Sequence, residues 1–209
     1  MGVEKDLVEL ARAGAAAGEK NIWLADDGTL TVEFVCRPAV GMAYLTGVPY
    51  AAALGVADAL EAAGYVGVGV AWPHDVCGEN GLLVRVSTSA GYGDGMFVVC
   101  RAVVPGVAAD VAEGLGASVV EAASARVAAW EASILAAGKA ATPLGPVLNE
   151  FFDRMPLMGK PVEVVYPNGR VAMRATLAGM DVWGRATVKN DLGGELEIAP
   201  EQARIRAAE

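Results

Sequence analysis

Residues 65–76 read YVGVGVAWPHDV, and this stretch decides how the chain folds. The glycine- and valine-rich run 65–70 is typical of a buried strand. The tetrapeptide 72–75 follows at the end of that strand and includes His74, the only histidine in the sequence. A tetrapeptide of this kind is either an ordinary turn beside a buried tryptophan or the wall of a ligand site.

Patterns on both sides of this stretch predict a sheet packed with helices. An Asp-Asp-Gly sequence at 26–28 and a glycine-rich sequence at 91–95 lie between β-rich runs, and each predicts a hairpin. The run 29–35 alternates apolar and polar residues, as in a half-buried strand. Helices are predicted at 3–13, 48–64, 107–138 and 143–155, and strands at 21–25, 29–35, 65–72, 82–89 and 96–104.

The composition changes at Met155-Pro156. Beyond this point turn signals at 167–169, 181–184, 191–194 and 199–200 separate short alternating strands. The predicted fold class is therefore α/β (α+β): a mixed, largely antiparallel sheet packed with helices at 1–155, then a small C-terminal all-β, barrel-like domain at 156–209. A dinucleotide-binding fold is disfavoured, because GVGVAW (67–72) runs into a proline rather than into a helix.

The composition argues against several classes of function. Of the 209 residues, 54% are hydrophobic and 20% are charged, which is enough for a sizeable core. The net charge of −9 argues against a nucleic-acid partner, and no run of about 18 apolar residues predicts a membrane span. The acidic, non-apolar start and three cysteines without CxxC spacing predict a cytoplasmic protein with reduced thiols and no metal site.

The order of these elements resembles the catalytic core and C-terminal domain of the biotin–protein ligases, relatives of the lipoate ligases. AAALGVADALEAAGYVGVGVAWPHDV (51–76) is similar to that family's helix, strand and Trp-Pro-Asn-Asp motif. LNEFFDRMPLMGKPVEVV (148–165) and AMRATLAGMDVWGRATVKNDLGGELEI (172–198) resemble its link and its terminal barrel. LVELARAGAAAGEKNIWLAD (7–26) and GTLTVEFVCRP (28–38) resemble the segments that flank its glycine/arginine loop.

The resemblance implies a chemistry for an active member. Family members join biotin to ATP, giving biotinyl-adenylate, and then acylate a lysine of a carrier domain, so biotin, ATP and magnesium are the implied cofactors. Cations must neutralise the phosphate charge that builds up as the carboxylate attacks. The family supplies them from a Gly-Arg-Gly loop and from a lysine shortly after the Trp-Pro-Asn-Asp motif.

This sequence departs from the family where charge is handled. Only the turn 26–28 stands in the place of the Gly-Arg-Gly loop, and a rival alignment of that loop on 13–20 also contains no arginine. No lysine follows the motif in 77–86, where Arg85 is the nearest cation. These losses lead us to expect that adenylate formation is gone, and we assign no catalytic residue.

Further departures affect the place where the family holds biotin. Cys100 and Arg101 are bulkier than the glycine expected there, and the family's first strand has no counterpart. His74 stands where the motif has an asparagine. The resemblance therefore predicts a biotin-ligase-like protein in which the pocket is narrowed.

Five residues are candidates for a binding site: Trp72, His74, Asp75, Arg85 and Arg101. Trp72 also fits a purely structural role, and the two residues that follow Pro73 fit either a pocket or a turn. The two arginines lie in apolar β runs, where an outward position is the simpler interpretation. If both faced a pocket, they would bind a carboxylate or a phosphate.

Three interpretations stay open. The first is a pseudoenzyme that acts as a binding or interaction module for a biotin-carrier-like protein, another subunit or a small carboxylic acid. The second is an active biotin or lipoate ligase or acyltransferase with altered residues, in which Asp75 and His74 sit at the site and Arg85 or Arg101 supplies charge. For acyl transfer, Cys77, three residues after His74, is a candidate nucleophile. The third is a homo-oligomer formed through an unpaired sheet edge.

Overall fold

The computed structural model describes residues 6–79 and 81–208, and its larger sheet confirms the predicted antiparallel architecture. Six strands lie in the order β1-β2-β6-β5-β4-β3, and every neighbouring pair is antiparallel. Their bounds are β1 Lys20–Leu24, β2 Leu30–Cys36, β3 Gly69–Ala71, β4 Asp75–Gly78, β5 Gly81–Gly93 and β6 Gly95–Val104. The hairpins predicted at 26–28 and 91–95 join β1 to β2 and β5 to β6.

The predicted turn after Trp72 contains an unexpected strand. Asp75 begins β4, which pairs with β3 on one side and with β5 on the other. Sequence patterns missed it because four residues, with glycine at the end, give too short an alternation. Asp75 consequently lies inside the sheet rather than in a surface turn.

The two long helices cover one face of this sheet. They are α2 Val48–Ala62 and α3 Ala109–Ala137, and both agree closely with the predicted segments. They pack closely, since a Cβ at Gly55 would lie 2.5 Å from Cα of Ala123. Their buried side chains share one hydrophobic cluster with inward-facing residues of the sheet, among them Val32, Val84 and Cys100.

A short helix, α1 Leu7–Arg12, lies on the opposite face. Leu7 and Ala11 pack against Val35, Phe97 and Val99 in a separate small cluster. This contact corrects the half-buried pattern expected for 29–35, because α1 buries the second face of β2 near its end. Val3, the first member of the predicted helical stripe, lies outside the described residues.

The helix expected at 143–155 is shorter than predicted. Only Leu148–Asp153 is α-helical, and we number it α4. Pro143, Gly145 and Pro146 precede it, and proline cannot donate the backbone hydrogen bonds of a helix interior. Helical 3₁₀ turns also lie at Met42–Gly47 and Gly138–Ala140.

The C-terminal strands form a second antiparallel sheet of five strands in the order β10-β9-β8-β7-β11. Their bounds are β7 Pro161–Val165, β8 Val171–Met180, β9 Ala186–Lys189, β10 Glu195–Ile198 and β11 Arg204–Ala207. The four turn signals lie between these strands, as predicted. Within the described part of the chain the strand ladder does not close, so the expected barrel is an open sheet.

The C-terminal strands are joined to the rest of the chain by backbone hydrogen bonding and by one continuous core. The amide of Leu144, before α4, donates to the carbonyl of Val182, between β8 and β9, at 3.0 Å, and the amide of Val70 on β3 donates to Arg154 at the end of α4 at 2.9 Å. The main hydrophobic cluster contains residues of both sheets. The proposed domain boundary near residue 156 therefore lies within a packed junction and stays a prediction.

No helix in residues 6–79 and 81–208 combines the length and apolar character that crossing a bilayer requires.

Candidate functional site

Trp72 lies at the junction between the two sheets. Its side chain is only 2% exposed, and its indole Nε1 donates to the carbonyl oxygen of Gly184 at 2.9 Å. The hydroxyl of Tyr50, from α2, donates to the same carbonyl oxygen at 3.1 Å. The carbonyl of Gly184, in the turn between β8 and β9, therefore accepts hydrogen bonds from two buried donors, one on α2 and one just after β3.

Asp75 makes a second connection across the junction. Its carboxylate is buried, and Oδ1 accepts from the backbone amide of Val86 at 3.0 Å. Oδ2 accepts from Nη1 of Arg204, on β11, at 2.8 Å. Because both oxygens already have donors, this carboxylate holds strands together rather than presenting an unused ligand.

His74 lies two residues after Trp72 and packs at the same junction. Its ring contacts Tyr50 edge to face, with ring centroids 5.6 Å apart. Its Nδ1 is buried and has no hydrogen-bond partner within the described residues. Burial lowers the pKa of His74, although the nearby charge of Asp75 acts in the opposite direction, so the imidazole is neutral at physiological pH.

Cys77 borders the same junction but does not have the properties of an activated nucleophile. Burial raises the pKa of its thiol, and the negative charge of Asp75 raises it further. A nucleophilic cysteine requires a lowered pKa, because the thiolate is the reactive form. The electrostatic surroundings of Cys77 therefore do not favour acyl transfer.

A cleft of about 740 Å³ opens beside these residues, between β3 to β5 of the larger sheet and β11 of the smaller one. We call it the junction cleft. Three of the five predicted site residues, Trp72, Asp75 and Arg85, line it, whereas His74 and Arg101 do not. Its other charged lining residues are Glu79, Lys160, Arg204 and Arg206.

Sequence patterns did not predict that Lys160, Arg204 and Arg206 line the cleft. Arg204 lies 129 residues from its partner Asp75, so no local pattern links the two. The only available signal was the alternation in RIRA (204–207), which places Arg204 and Arg206 on the same side of a strand. Lys160 lies in a turn before β7 and gave no signal.

A second region, which we call the open face, lies on the side of the larger sheet away from α2 and α3. Glu33, Arg101 and Ser87 lie side by side there on β2, β6 and β5. The guanidinium of Arg101 lies 5.7 Å from the ring centre of Trp23 and 3.5 Å from Oε1 of Glu33. These residues and the start of α1 line a cavity of about 490 Å³.

The open face continues into the junction cleft. A third cavity, of about 500 Å³, is lined by Arg101 and Ser87 at one end and by Arg85 and Leu82 at the other. Arg85 and Arg101 are therefore diagonal neighbours on one exposed surface, in agreement with their expected outward positions.

The turn between β1 and β2 borders the open face and is tight. The amide of Ala25 donates to the carbonyl of Thr29 at 2.9 Å, and Gly28 adopts a φ of +79° to complete the turn. Asp27 stabilises it by accepting from the amide of Thr29 at 2.9 Å. No segment at this point is long enough to fold over the sheet and bring cations to it.

The residues that the structure describes form no cage that could hold, by itself, the magnesium ion that the resemblance implies. Among residues 6–79 and 81–208 there is no group of three histidine, cysteine, aspartate or glutamate side chains that could hold a metal ion. Asp75, the acidic residue of the motif, already uses both oxygens. The protein thus combines helices and two antiparallel sheets with a cleft between the sheets that is lined by several cations.

Comparison with solved structures identifies this fold. The biotin protein ligase of Aquifex aeolicus aligns with a TM-score of 0.69 at 14% identity, over 96% of this chain and 93% of that one. A biotin protein ligase-like protein of unknown function from Silicibacter sp. TM1040 aligns with a TM-score of 0.66 at 19% identity, over 96% and 92%. The biotin acetyl coenzyme A carboxylase synthetase of Helicobacter pylori aligns with a TM-score of 0.51 at 14% identity, over 91% of both chains.

The chain thus has the fold of the biotin protein ligases, as the order of its elements predicted. No protein-family model matches the chain, and no curated protein matches its sequence. At these identities the likeness establishes the fold, and function has to be argued from the residues of the site.

Proposed function

We propose that this protein is a biotin-ligase-like binding module that holds a small carboxylic acid on the open face and does not form an adenylate. The observation that carries the proposal is the position of Arg101. This arginine projects from the centre of the open face, beside a tryptophan ring, at the edge of the 490 Å³ cavity. The Aquifex ligase has been crystallised with biotin and ATP, and biotin is itself a small carboxylic acid.

Arg101 is well suited to bind a carboxylate. Its side chain is 48% exposed, whereas that of Glu33 is 16% exposed, so about half of the arginine side chain is accessible to a ligand. A guanidinium forms two parallel hydrogen bonds with a carboxylate, and such charge-assisted pairs are about twice as strong as neutral ones. Trp23 supplies an apolar surface for the remainder of the ligand, and Ser87 and Ser89 supply hydroxyl groups.

The loss of adenylate formation is supported by the turn between β1 and β2. Attack of a carboxylate on ATP needs several cations around the phosphates. The turn at 25–29 brings none to the open face, and Arg101 is itself held by Glu33. A ligand carboxylate would therefore be bound there without being activated.

The ligand-binding part of the proposal is tested by calorimetry with biotin, lipoate and hexanoate. We expect at least one of these acids to bind, and Arg101→Gln to weaken its binding by at least about tenfold. Arg170→Gln is the matched control, because Arg170 also lies over an aromatic ring, 5.9 Å from Tyr166, but does not line the cavities of the open face. Equal binding by all three proteins would overturn the assignment of Arg101.

The catalytic part is tested separately by exchange of pyrophosphate into ATP in the presence of each acid. We expect no exchange above background. Clear exchange would support the alternative, an active biotin or lipoate ligase with altered residues. The feature that favours this alternative is the set of four cations in the junction cleft, Arg85, Lys160, Arg204 and Arg206.

Three further points belong to the same proposal. We place the protein in the cytoplasm, which is supported by three buried cysteines that are all free. We place a boundary between two domains near residue 156, supported by the separate strand ladders on either side.

A biotin-carrier-like partner and a homo-oligomer through a sheet edge are alternatives. Gel filtration with light scattering, with and without a carrier domain, distinguishes them.

A further inference from the structure

The outer edge of the C-terminal sheet is available for pairing. Its terminal strand, β11, pairs with β7 and with no other strand in the described part of the chain. The amide of Ala208 donates to the carbonyl of Pro161, in register with the β11–β7 ladder. Since backbone groups alternate in direction along an antiparallel strand, those of Ile205 and Ala207 point to the opposite edge.

The free edge of β11 forms part of the wall of the junction cleft. All four residues of β11 line the cleft, and β3 to β5 of the larger sheet form the facing wall. The cleft also has an apolar lining from Leu82, Pro156 and Leu157. Leu82 is 50% exposed, which leaves an apolar surface for a bound side chain. The space of about 740 Å³ borders the whole length of β11, as strand addition requires.

The charge of the cleft is opposite to that of the protein as a whole. Among residues 6–79 and 81–208, four cations line it against two carboxylates, Asp75 and Glu79, although the chain has a net charge of −9. Arg85 and Lys160 are exposed and have no ion pair within residues 6–79 and 81–208. Such a local cluster attracts a negatively charged partner.

Arg204 and Arg206 add to this cluster although both are ion-paired. Each uses one side of its guanidinium to bind a buried carboxylate, Asp75 for Arg204 and Glu163 for Arg206. Their side chains nevertheless remain 49% and 54% exposed. The paired carboxylates fix the two guanidinium groups along the strand edge.

We propose that the junction cleft binds an extended acidic peptide segment of another protein, which adds to the free edge of β11 as a further strand. The backbone of Ile205 and Ala207 pairs with the segment, and acidic side chains of the segment contact Arg85, Lys160 and the two arginines of β11. Apolar side chains on its other face contact Leu82 and Leu157. This proposal depends on the edge of β11 and not on Arg101, so it stands apart from the carboxylate site proposed on the open face, although Arg85 borders both cavities.

The test uses a fluorescein-labelled hexapeptide of alternating glutamate and valine, and fluorescence anisotropy at low salt. We expect saturable binding to the full chain. The same peptide N-methylated at alternate residues keeps its charge and side chains but cannot pair along a strand, and we expect it not to bind. A lysine–valine hexapeptide is the control for charge. Equal binding of the N-methylated peptide would overturn strand addition.

Two variants test the protein side of the contact. Ala207→Pro removes an amide that points to the free edge and none that pairs with β7, so the fold is kept and peptide binding is expected to be lost. Arg85→Gln combined with Lys160→Gln should weaken binding about fivefold to tenfold, whereas Lys139→Gln, at an exposed cation in the turn after α3 that does not line the cleft, should not. Thermal unfolding of each variant verifies its fold.

Two results would assign the cleft to another occupant and so overturn the proposal. Complete displacement of the peptide by hexanoate through the cleft cations, abolished in the Arg85→Gln, Lys160→Gln variant, would indicate a small-acid site. Self-association of the wild type that Ala207→Pro abolishes would indicate that a second copy of this chain uses the edge.

Discussion

The junction between the two sheets and the open face of the larger sheet both contain an arginine paired with a carboxylate and a tryptophan nearby. At the junction the carboxylate of Asp75 is 8% exposed and both of its oxygens accept hydrogen bonds. On the open face the Arg101–Glu33 pair is longer, at 3.5 Å, and the side chain of Glu33 is 16% exposed. Both arginines are about half exposed, so the two regions differ in the carboxylate and the tryptophan, which are more deeply buried at the junction.

This difference assigns separate roles to residues that the sequence grouped together. Trp72 and Asp75 lie in a stretch that resembles a ligase motif and was predicted as a pocket wall or a turn, yet their polar atoms bond to Gly184, Val86 and Arg204. Burial, rather than residue type, decides between structure and binding. The comparison predicts that changes at the junction lower stability strongly, whereas matched changes on the open face do not.

The largest effect is expected from the two tryptophans. Trp72→Ala leaves a cavity and removes the bond to Gly184, so the free energy of unfolding should fall by about 3–5 kcal/mol. Trp23→Ala, on the open face, should cost about 1 kcal/mol. Urea unfolding followed by circular dichroism measures both, and similar losses would contradict the division between the regions.

A smaller effect is expected when each carboxylate is replaced by its amide. Asp75 faces two donors, the amide of Val86 and the guanidinium of Arg204. The NH₂ group of an introduced asparagine would face one of them in either orientation, so Asp75→Asn should cost about 2 kcal/mol. Glu33→Gln should cost about 0.5 kcal/mol, because the side chain of its partner Arg101 is half exposed to water. The same unfolding experiment is the measure, and equal costs would break the comparison.

The junction should also respond to mild acid. Burial holds the pKa of His74 below its ordinary value of 6.5, so the unfolded chain binds a proton more readily than the folded one. The stability contributed by the neutral imidazole is complete above pH 6.5 and is lost as the pH falls below that value toward the folded pKa. Unfolding measured from about pH 7.5 to about pH 5 should show this decline.

His74→Asn is the matched control for the acid response, since it restores the residue expected at this position in the ligase motif. No other histidine is present to titrate in this range. The variant should have a flatter pH dependence between about pH 7 and pH 5. An unchanged slope would mean that His74 is not the group that responds.

The smallest effect on stability is expected from Arg101→Gln. The side chain is half exposed and its ion pair is long, so the change should alter the free energy of unfolding by less than about 0.5 kcal/mol. It should nevertheless weaken acid binding, as proposed above. A destabilisation greater than about 1 kcal/mol would instead assign Arg101 to the fold.

Local sequence patterns predicted the elements whose causes are local. The Asp-Asp-Gly turn at 26–28 and the helix 48–62 follow from residues close together in the chain, and the order of elements was enough to predict the fold. The strand at Asp75–Gly78 was missed because neighbouring strands, not its own four residues, define it. The burial of Val35 was missed because it depends on a helix 24 to 28 residues earlier in the chain.

Only the part of the candidate site that belongs to the larger sheet could be predicted from the sequence. Trp72, Asp75 and Arg85 lie in one short stretch and could be selected as a group. Arg204 and Arg206 come from the last strand, and nothing in the sequence indicates which surface that strand approaches. Arg101 was expected to face outward, but its position over Trp23 depends on the pairing of β1 with β2 and of β2 with β6.

Gly184 sets how closely the two sheets approach each other. It has a φ of +88°, and a Cβ at this position would overlap the hydroxyl of Tyr50. Any side chain here would have to displace the hydroxyl of Tyr50 or the turn itself. Either movement would disturb the two hydrogen bonds that Tyr50 and Trp72 donate to this residue, so the contact between the larger sheet and the β8–β9 turn depends on a hydrogen atom in place of a methyl group.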